Sequence, residues 1–366
     1  MRVLRDHIVL EFLKPFFACV AGFLFLFIVG RGLIQMADFI FNKSVDAVLV
    51  IQLLLYSLPF MLIFIIPMSV LIATLLMFRR LSTDNEIIAL RASGIGLSKV
   101  TRPLFAVTAV LALVTLLLSD KIASQTHYSY RLLLTKIGLE SPAAALEEGT
   151  FIKKFKNFVI FIYEIDKNKL KGIRIYQPQE GRPARTISAQ KGELISIPEQ
   201  GIIKLKLVHG TSDEPDPKDP TKLYKLNFRT YDLPLNIAEI KEPKEPGKKP
   251  KDMTIRELEA EIDRLGEEGI KATYALSAEI HNKIAMALSC FTFLLVGIPL
   301  GITARRSDKS MSLGFGLVIL TAYWTFLIGG KALAQKGYLP PAFSMQVSNL
   351  LIGSLGFFLY RRLVKT

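Results

Sequence analysis

Six long apolar runs, divided into two groups of three by a polar block, constrain this chain more than any other feature. They fall at residues 15–34, 51–78 and 103–119, then at 284–304, 312–330 and 342–360. An α-helix needs ~20 apolar residues to cross ~30 Å of hydrocarbon. Lipid offers no partner to a backbone N–H or C=O, so a helix, which satisfies both internally, is the expected form of each run. The second run exceeds a minimal span: 28 residues make a helix of ~42 Å at ~1.5 Å per residue. Pro59 and Pro67 lie inside it and are expected to tilt or kink it.

The formal net charge is +14. On a soluble protein this would suggest nucleic acid, but here the basic residues flank the helices. One side carries Arg2, Arg5, Lys14, Arg79, Arg80, Arg91, Lys99, Arg102, Arg305, Arg306, Lys309, Arg361, Arg362 and Lys365. The short segments of the other side carry Arg31, Lys43, Lys331 and Lys336. Fourteen against four places both ends of the chain in the cytoplasm and the 120–283 block outside it. The first run lacks a small-residue cleavage pattern and is expected to remain as the first membrane helix. Cys19 and Cys290 both fall in apolar runs, so the exported block uses no disulfide.

Within that block, segments 151–165, 170–177, 185–197, 201–209 and 223–233 are rich in Ile, Val, Phe, Tyr and Thr. The stretch Ile202-Ile203-Lys204-Leu205-Lys206-Leu207-Val208 shows the clearest period-2 alternation. Several short strands in succession suggest a sandwich, jelly roll or open barrel-like sheet. Pro215, Pro217 and Pro220 mark a turn-rich loop, and residues 239–252 a charged, Pro-rich linker. Thr254 followed by Glu257 predicts a capping box opening a helix, interrupted by Gly266 and Gly269. A further helix from about 271 is expected to run into the fourth span.

The fold class is therefore an α-helical polytopic membrane protein, six transmembrane helices in two sets of three, with an inserted extracytoplasmic β-rich domain whose form, sandwich, jelly roll or open barrel-like sheet, the strands leave open; the resemblance described below implies the β-jellyroll-like one. Residues 1–119 hold helices one to three. Residues 120–283 form the exported domain, with a β-rich core at about 150–238 and a linker and helix at 239–283. Residues 284–366 hold helices four to six.

A short amphipathic helix is expected at about 83–94, between the second and third spans. Thr83 and Glu86 fit a capping box, Ile87, Ile88 and Leu90 supply an apolar side, and Gly94 is placed to end it. It reads equally as a helix lying in the lipid headgroups and as a docking helix for a cytoplasmic partner.

Much chemistry is missing. There is no G-x-x-x-x-G-K-[ST] phosphate loop, no H-E-x-x-H and no Cys/His cluster with zinc spacing, so neither a metal nor a cofactor is expected in this chain. His7, His127, His209 and His281 are scattered and read as surface or interface residues. The apolar runs hold no carboxylate, since Glu11, Asp38 and Asp120 lie at their ends; this argues against an ion-coupled transporter. No Asp or His partners the membrane serines and threonines, which argues against an intramembrane hydrolase. A permease subunit powered by another protein remains. An ion-coupled secondary transporter and a non-transporting scaffold are the alternatives.

Several motifs together resemble the LptF/LptG permease family. They are Glu86-Ile87-Ile88-Ala89-Leu90-Arg91-Ala92-Ser93-Gly94, Glu279-Ile280-His281-Asn282-Lys283 leading into Gly297-Ile298-Pro299-Leu300-Gly301 and Arg305-Arg306, and Gly337-Tyr338-Leu339-Pro340-Pro341. Their order, with Ala145-Leu146-Glu147-Glu148-Gly149-Thr150-Phe151 at the start of the β-rich part, sits nearer the F branch than the G branch. The resemblance covers essentially the whole chain. It implies a Gram-negative inner-membrane subunit of an ABC exporter that extracts lipopolysaccharide. It further implies a paired permease of the other branch, a dimeric LptB-like ATPase that binds ATP and Mg, and LptC-like and LptA-like periplasmic jellyrolls forming a bridge. Nucleic acid plays no part. By the same resemblance Glu86, with Arg91 on the same short helix, couples to the ATPase. Arg31 matches a basic position associated with the acidic lipid head. Arg31 and Lys43 lie where the basic rim of a cavity for a phosphorylated lipid would be, and arginine's planar fork suits phosphate. The other reading of Arg31 is a side chain snorkelling to the interface.

Overall fold

The computed structural model describes residues 2–33, 39, 45–140, 148–155, 158–166, 169–179, 182–197, 202–215, 223–235, 247–266, 270–303 and 309–365. The chain divides into two compact units. One comprises Met1–Gly30, Tyr56–Tyr128 and Lys248–Thr366; the other comprises Arg31–Leu55 and Ser129–Gly247.

The helices are α1 (Arg2–Phe27), α2 (Ala47–Thr83), α3 (Glu86–Ala92), α4 (Leu97–Leu117), α5 (Ala123–Glu140), α6 (Ile255–Leu265), α7 (Ile270–Thr303), α8 (Lys309–Gln335) and α9 (Pro341–Lys365). Short π-helical segments follow α1 at Ile28–Leu33 and α4 at Leu118–Ile122. Among the described residues six stretches are long and apolar enough to cross a membrane, at Val3–Gly30, Ala47–Thr83, Leu97–Ile137, Thr273–Thr303, Gly314–Gln335 and Pro341–Val364. Each contains or overlaps one of the six apolar runs. The helix continues through Pro59 and Pro67 for 37 residues, or roughly 55 Å.

The helical unit is built around α2 and α7. Their most apolar windows are 67% and 72% buried, against 11–28% for the other four spans. One core cluster joins Ile8, Phe12 and Phe16 of α1 to Phe78 and Leu81 of α2, Leu104 of α4 and Leu294 of α7. A second joins Leu71 and Leu75 of α2 to Phe293 and Val296 of α7, Tyr323 of α8 and Met345 of α9. On the outside, Phe17, Phe25, Leu317, Ile328, Phe357 and Phe358 are exposed. Exposed apolar side chains of this size and number suit hydrocarbon rather than water.

Because lipid gives helices no hydrophobic reason to associate, close packing must hold them, and small residues permit it. A Cβ on Gly297 would lie 2.9 Å from Thr74 of α2, and one on Gly301 3.0 Å from the Leu75 carbonyl oxygen. A Cβ on Gly330 of α8 would sit 2.2 Å from the Ser344 carbonyl oxygen of α9, and one on Gly356 of α9 2.7 Å from the Val296 nitrogen of α7.

The second unit contains one antiparallel sheet whose six strands run in sequence order. They are β1 (Phe151–Phe155), β2 (Phe158–Asp166), β3 (Lys169–Gln179), β4 (Arg182–Ile197), β5 (Ile202–Pro215) and β6 (Leu223–Leu235). Among the described residues each strand pairs with its sequence neighbour, the pattern of a meander. Alternate residues form the core: Ile160 and Ile162 pair with Ile175 and Ile173, which pair in turn with Ile187 and Ala189. Gly192 leaves room that the Ile173 side chain fills, since a Cβ there would lie 2.4 Å from it.

Two strand expectations are corrected. The 151–165 run is a hairpin, β1 and β2, with Phe155 paired to Phe158. β5 extends past 209 to Pro215, because its polar end, Gly210 to Glu214, still pairs with β6. Pro215 therefore closes a strand; Pro217 and Pro220 lie outside the described residues.

The Thr254 capping box forms as expected. The Glu257 amide donates to Thr254 Oγ1 at 3.3 Å and the Thr254 amide to Glu257 Oε2 at 2.8 Å. Thr254→Ala is expected to cost about 1 kcal/mol, read as faster amide exchange in the first turn of α6. The Glu257 carboxyl is held below the usual range, first by the hydrogen bond from Lys248 and then by the Thr254 amide. A depressed folded-state pKa stabilises above the unfolded value and ceases to do so as pH falls through the folded value. Acidification past the ordinary glutamate range and through the depressed folded value is therefore expected to fray this turn. Equal protection at neutral and acid pH would contradict that.

Candidate functional site

The short helix α3 is where the sequence places the coupling residues. Its start differs from expectation. Thr83 is the last residue of α2, and its hydroxyl donates back to the Arg79 carbonyl at 3.0 Å. Asn85 takes the N-cap position in the left-handed region, φ 59°, with no side-chain cap bond. The Thr83–Glu86 capping box therefore does not form. The apolar Leu81, buried in the core, draws α2 onward through Thr83. Asn is among the few side chains that tolerate the left-handed turn needed next.

The other end follows the sequence. Gly94 has φ +76°, its amide donates to the Arg91 carbonyl at 3.0 Å, and the Ile95 amide to the Leu90 carbonyl at 2.9 Å. These two bonds make a Schellman motif. Ile95 and Leu90 both pack on the core that also buries Ile87. Ile88, expected on that apolar side, faces outward with 51% exposure. α3 thus grips the helical unit by Ile87 and Leu90 and presents Ile88 and Ala89.

Glu86 and Arg91 each have a partner, but not each other. Glu86 Oε2 lies 3.5 Å from His7 Nε2 of α1. Arg91 Nη2 donates to the Leu363 carbonyl of α9 at 2.8 Å, a cation at a helix C-terminus. Beside them Arg80 contacts Glu11 of α1 and lies 3.4 Å from Asp84. The short helix is thereby joined to both the first and the last helix of the chain. Arg31 falls in the π-helical segment after α1, and Lys43 lies outside the described residues.

The structure also pairs charged groups whose partners the sequence reading did not contain. α7 starts at Ile270, fourteen residues before the apolar run, and carries Glu279 and Lys283 one turn apart. Both are buried, as is Glu11. Glu279 Oε2 lies 2.6 Å from Lys331 Nζ of α8, and Lys283 Nζ 3.4 Å from Asp120 Oδ1. The apolar runs themselves hold no carboxylate, as read; Glu279 and Lys283 stand on the part of α7 that precedes its run. The signal was present as Glu-x-x-x-Lys, the spacing that puts opposite charges on one helix face.

Six membrane-length helices, a meander sheet inserted after the third, and a short surface helix after the second define a multi-pass membrane protein with a β-rich insertion. The chain belongs to the lipopolysaccharide export system permease LptF/LptG family, whose pattern it matches over residues 6–362. It is similar to the lipopolysaccharide export system permease protein LptF of Escherichia coli strain K12, 24% identical over 98% of this chain and 94% of that protein. The LptF of Shigella flexneri matches to the same extent. An uncharacterized protein of Rickettsia prowazekii, RP871, is 25% identical over 43% of this chain and 44% of its own length.

Proposed function

We propose that this chain is the membrane subunit of an ATP-driven ABC exporter that extracts lipopolysaccharide from the inner membrane and passes it to a periplasmic β-jellyroll bridge. The observation that carries the reading is α3: a seven-residue helix fixed by Ile87, Leu90 and a Schellman turn, yet presenting Ile88 and the half-exposed Glu86. A helix that only rested in headgroups would have no need of such fixed attachment to both ends of the chain. In this reading both termini and α3 are cytoplasmic, and the sheet is periplasmic. An LptB-like ATPase dimer supplies ATP and Mg, and docks at Glu86 and Arg91. A second permease of the LptG type pairs with this one, which takes the LptF part. LptC-like and LptA-like jellyrolls continue the path, and Arg31 and Lys43 meet the acidic lipid head at the outer rim.

Purification from native membranes in mild detergent, with mass spectrometry of proteins and lipids, tests this. The expected result is a stoichiometric ATPase, a second six-helix subunit and lipid A species. A lone chain carrying only bulk phospholipid would overturn it. The buried Glu279–Lys331 and Lys283–Asp120 pairs favour a second reading, an ion-coupled transporter. That reading requires lipid movement to stop when the proton gradient is collapsed while ATP is held constant.

A further inference from the structure

A knot of polar groups joins the π-helical segment after α4, the start of α5, α7, and the stretch Lys248–Leu265 that precedes α7. Lys283 Nζ sits at its centre, with its side chain only 4% exposed. It donates to the Met253 carbonyl at 2.6 Å and to Ser124 Oγ at 2.8 Å, and lies 3.4 Å from Asp120 Oδ1. Asp120 Oδ1 also accepts the Ile255 amide at 2.6 Å. Ser124 Oγ in turn donates to the Met253 carbonyl at 3.0 Å and lies 3.3 Å from the Ser119 carbonyl, five residues back. One turn further on, Asp252 meets His127 Nδ1 at 2.5 Å and accepts the Lys249 amide at 2.9 Å.

The attachment is thus polar along Lys248–Ile255, while α6 adds an apolar contact through the buried Leu258, flanked by the half-buried Ile255, Ile262 and Leu265, none of which belongs to the cores that hold α2 and α7. The two kinds of attachment differ when broken. Parting an apolar contact exposes oil to water, whereas parted ions and carbonyls are rehydrated. A buried ion pair is moreover often no more stabilising than apolar side chains of equal volume, so a purely permanent anchor gains little from it. The knot also rests on a π-helical turn, a weaker helical form concentrated at functional positions. Its groups come from three separate parts of the chain, and the contact can be made and broken without disturbing the apolar cores that hold α2 and α7.

We propose that Lys248–Leu265 is a strap, clasped to the helices by Lys283, Asp120, Ser124 and the His127–Asp252 pair, that opens and recloses as the protein works. The proposal rests on the exporter reading for what that work is. Lys283 is a positioning residue here: it acts by holding the strap.

The test uses the full chain in its assembly, with Cys19→Ala and Cys290→Ala so that introduced thiols react alone. His127→Cys with Asp252→Cys is bridged by a short bis-methanethiosulfonate reagent that a reductant releases. Tyr128→Cys with Lys248→Cys, bridged by a longer reagent, serves if the first pair does not assemble. Energised release of lipopolysaccharide from proteoliposomes is expected to fall about tenfold or more when the strap is bridged and to recover on reduction, as for a gating element. Equal release from bridged and reduced samples overturns the strap while leaving the exporter reading standing. If no sample releases lipid, the exporter reading fails, and the strap is then decided by Ser124→Cys in the same background. Reaction of that thiol with a membrane-impermeant maleimide, while the fold persists, supports opening; full protection overturns it.

Discussion

Gly330→Val is expected to cripple the helical unit, whereas Gly329→Val leaves it folded. The two glycines are neighbours in α8 and have the same chemistry. A Cβ at 330 would meet the Ser344 carbonyl of α9 at 2.2 Å, while one at 329 meets nothing within 4 Å. The obstacle at 330 is backbone, so no rotamer change relieves it; α8 and α9 must part. Overpacking of this kind costs roughly 3 kcal/mol or more, and in lipid no hydrophobic effect pulls the helices back together. Thermal melting in detergent is expected to show a large loss for the 330 variant and little for the 329 variant. Equal melting of the two would mean that the α8–α9 contact is not a determinant of the fold.

The second large effect is at Glu86. Because α3 has no capping box, Glu86→Ala removes no cap, and Glu86→Ala and Glu86→Gln are expected to behave alike. Both stay folded, and both lose ATP-coupled lipid transport by about tenfold or more, as when one partner of an interfacial charge pair is removed. His7→Ala separates two roles. If the Glu86 carboxylate acts toward the ATPase, His7→Ala retains most of the coupling. If it acts only by holding α1 through the 3.5 Å contact with His7, His7→Ala reproduces the defect. Normal coupled transport by Glu86→Gln would refute a charge-dependent dock.

What could be read in advance follows from the range of the interactions. The spans were legible because length and apolarity are local, and β2 to β6 because alternation is local. The Thr254–Glu257 box and the Gly94 stop were read correctly for the same reason. The Thr83 box was misread because a longer helix claimed the residue: local capping preference lost to burial of Leu81. The helix from about 271 and the Glu279–Lys283 motif on it were legible, but the burial and pairing of these charges were not. Their partners, Lys331 and Asp120, lie 52 and 163 residues away in sequence, and no window along the chain brings them together. Each of Glu86 and Arg91 proved to be tied to a terminal helix, a fact that motif spacing does not contain.

The order of the sheet has a consequence for how the chain is made. Among the described residues each strand from β2 to β6 binds the one synthesised just before it. Such pairing closes only short loops, which keeps the entropic cost of each step small. The β unit can therefore be complete while the last three membrane helices are still unsynthesised. A ribosome stalled shortly after Leu235 is expected to display a protease-resistant sheet. The later helices would then enter the membrane with the sheet already folded, its four inner strands paired on both sides while the rest of the chain is still being made.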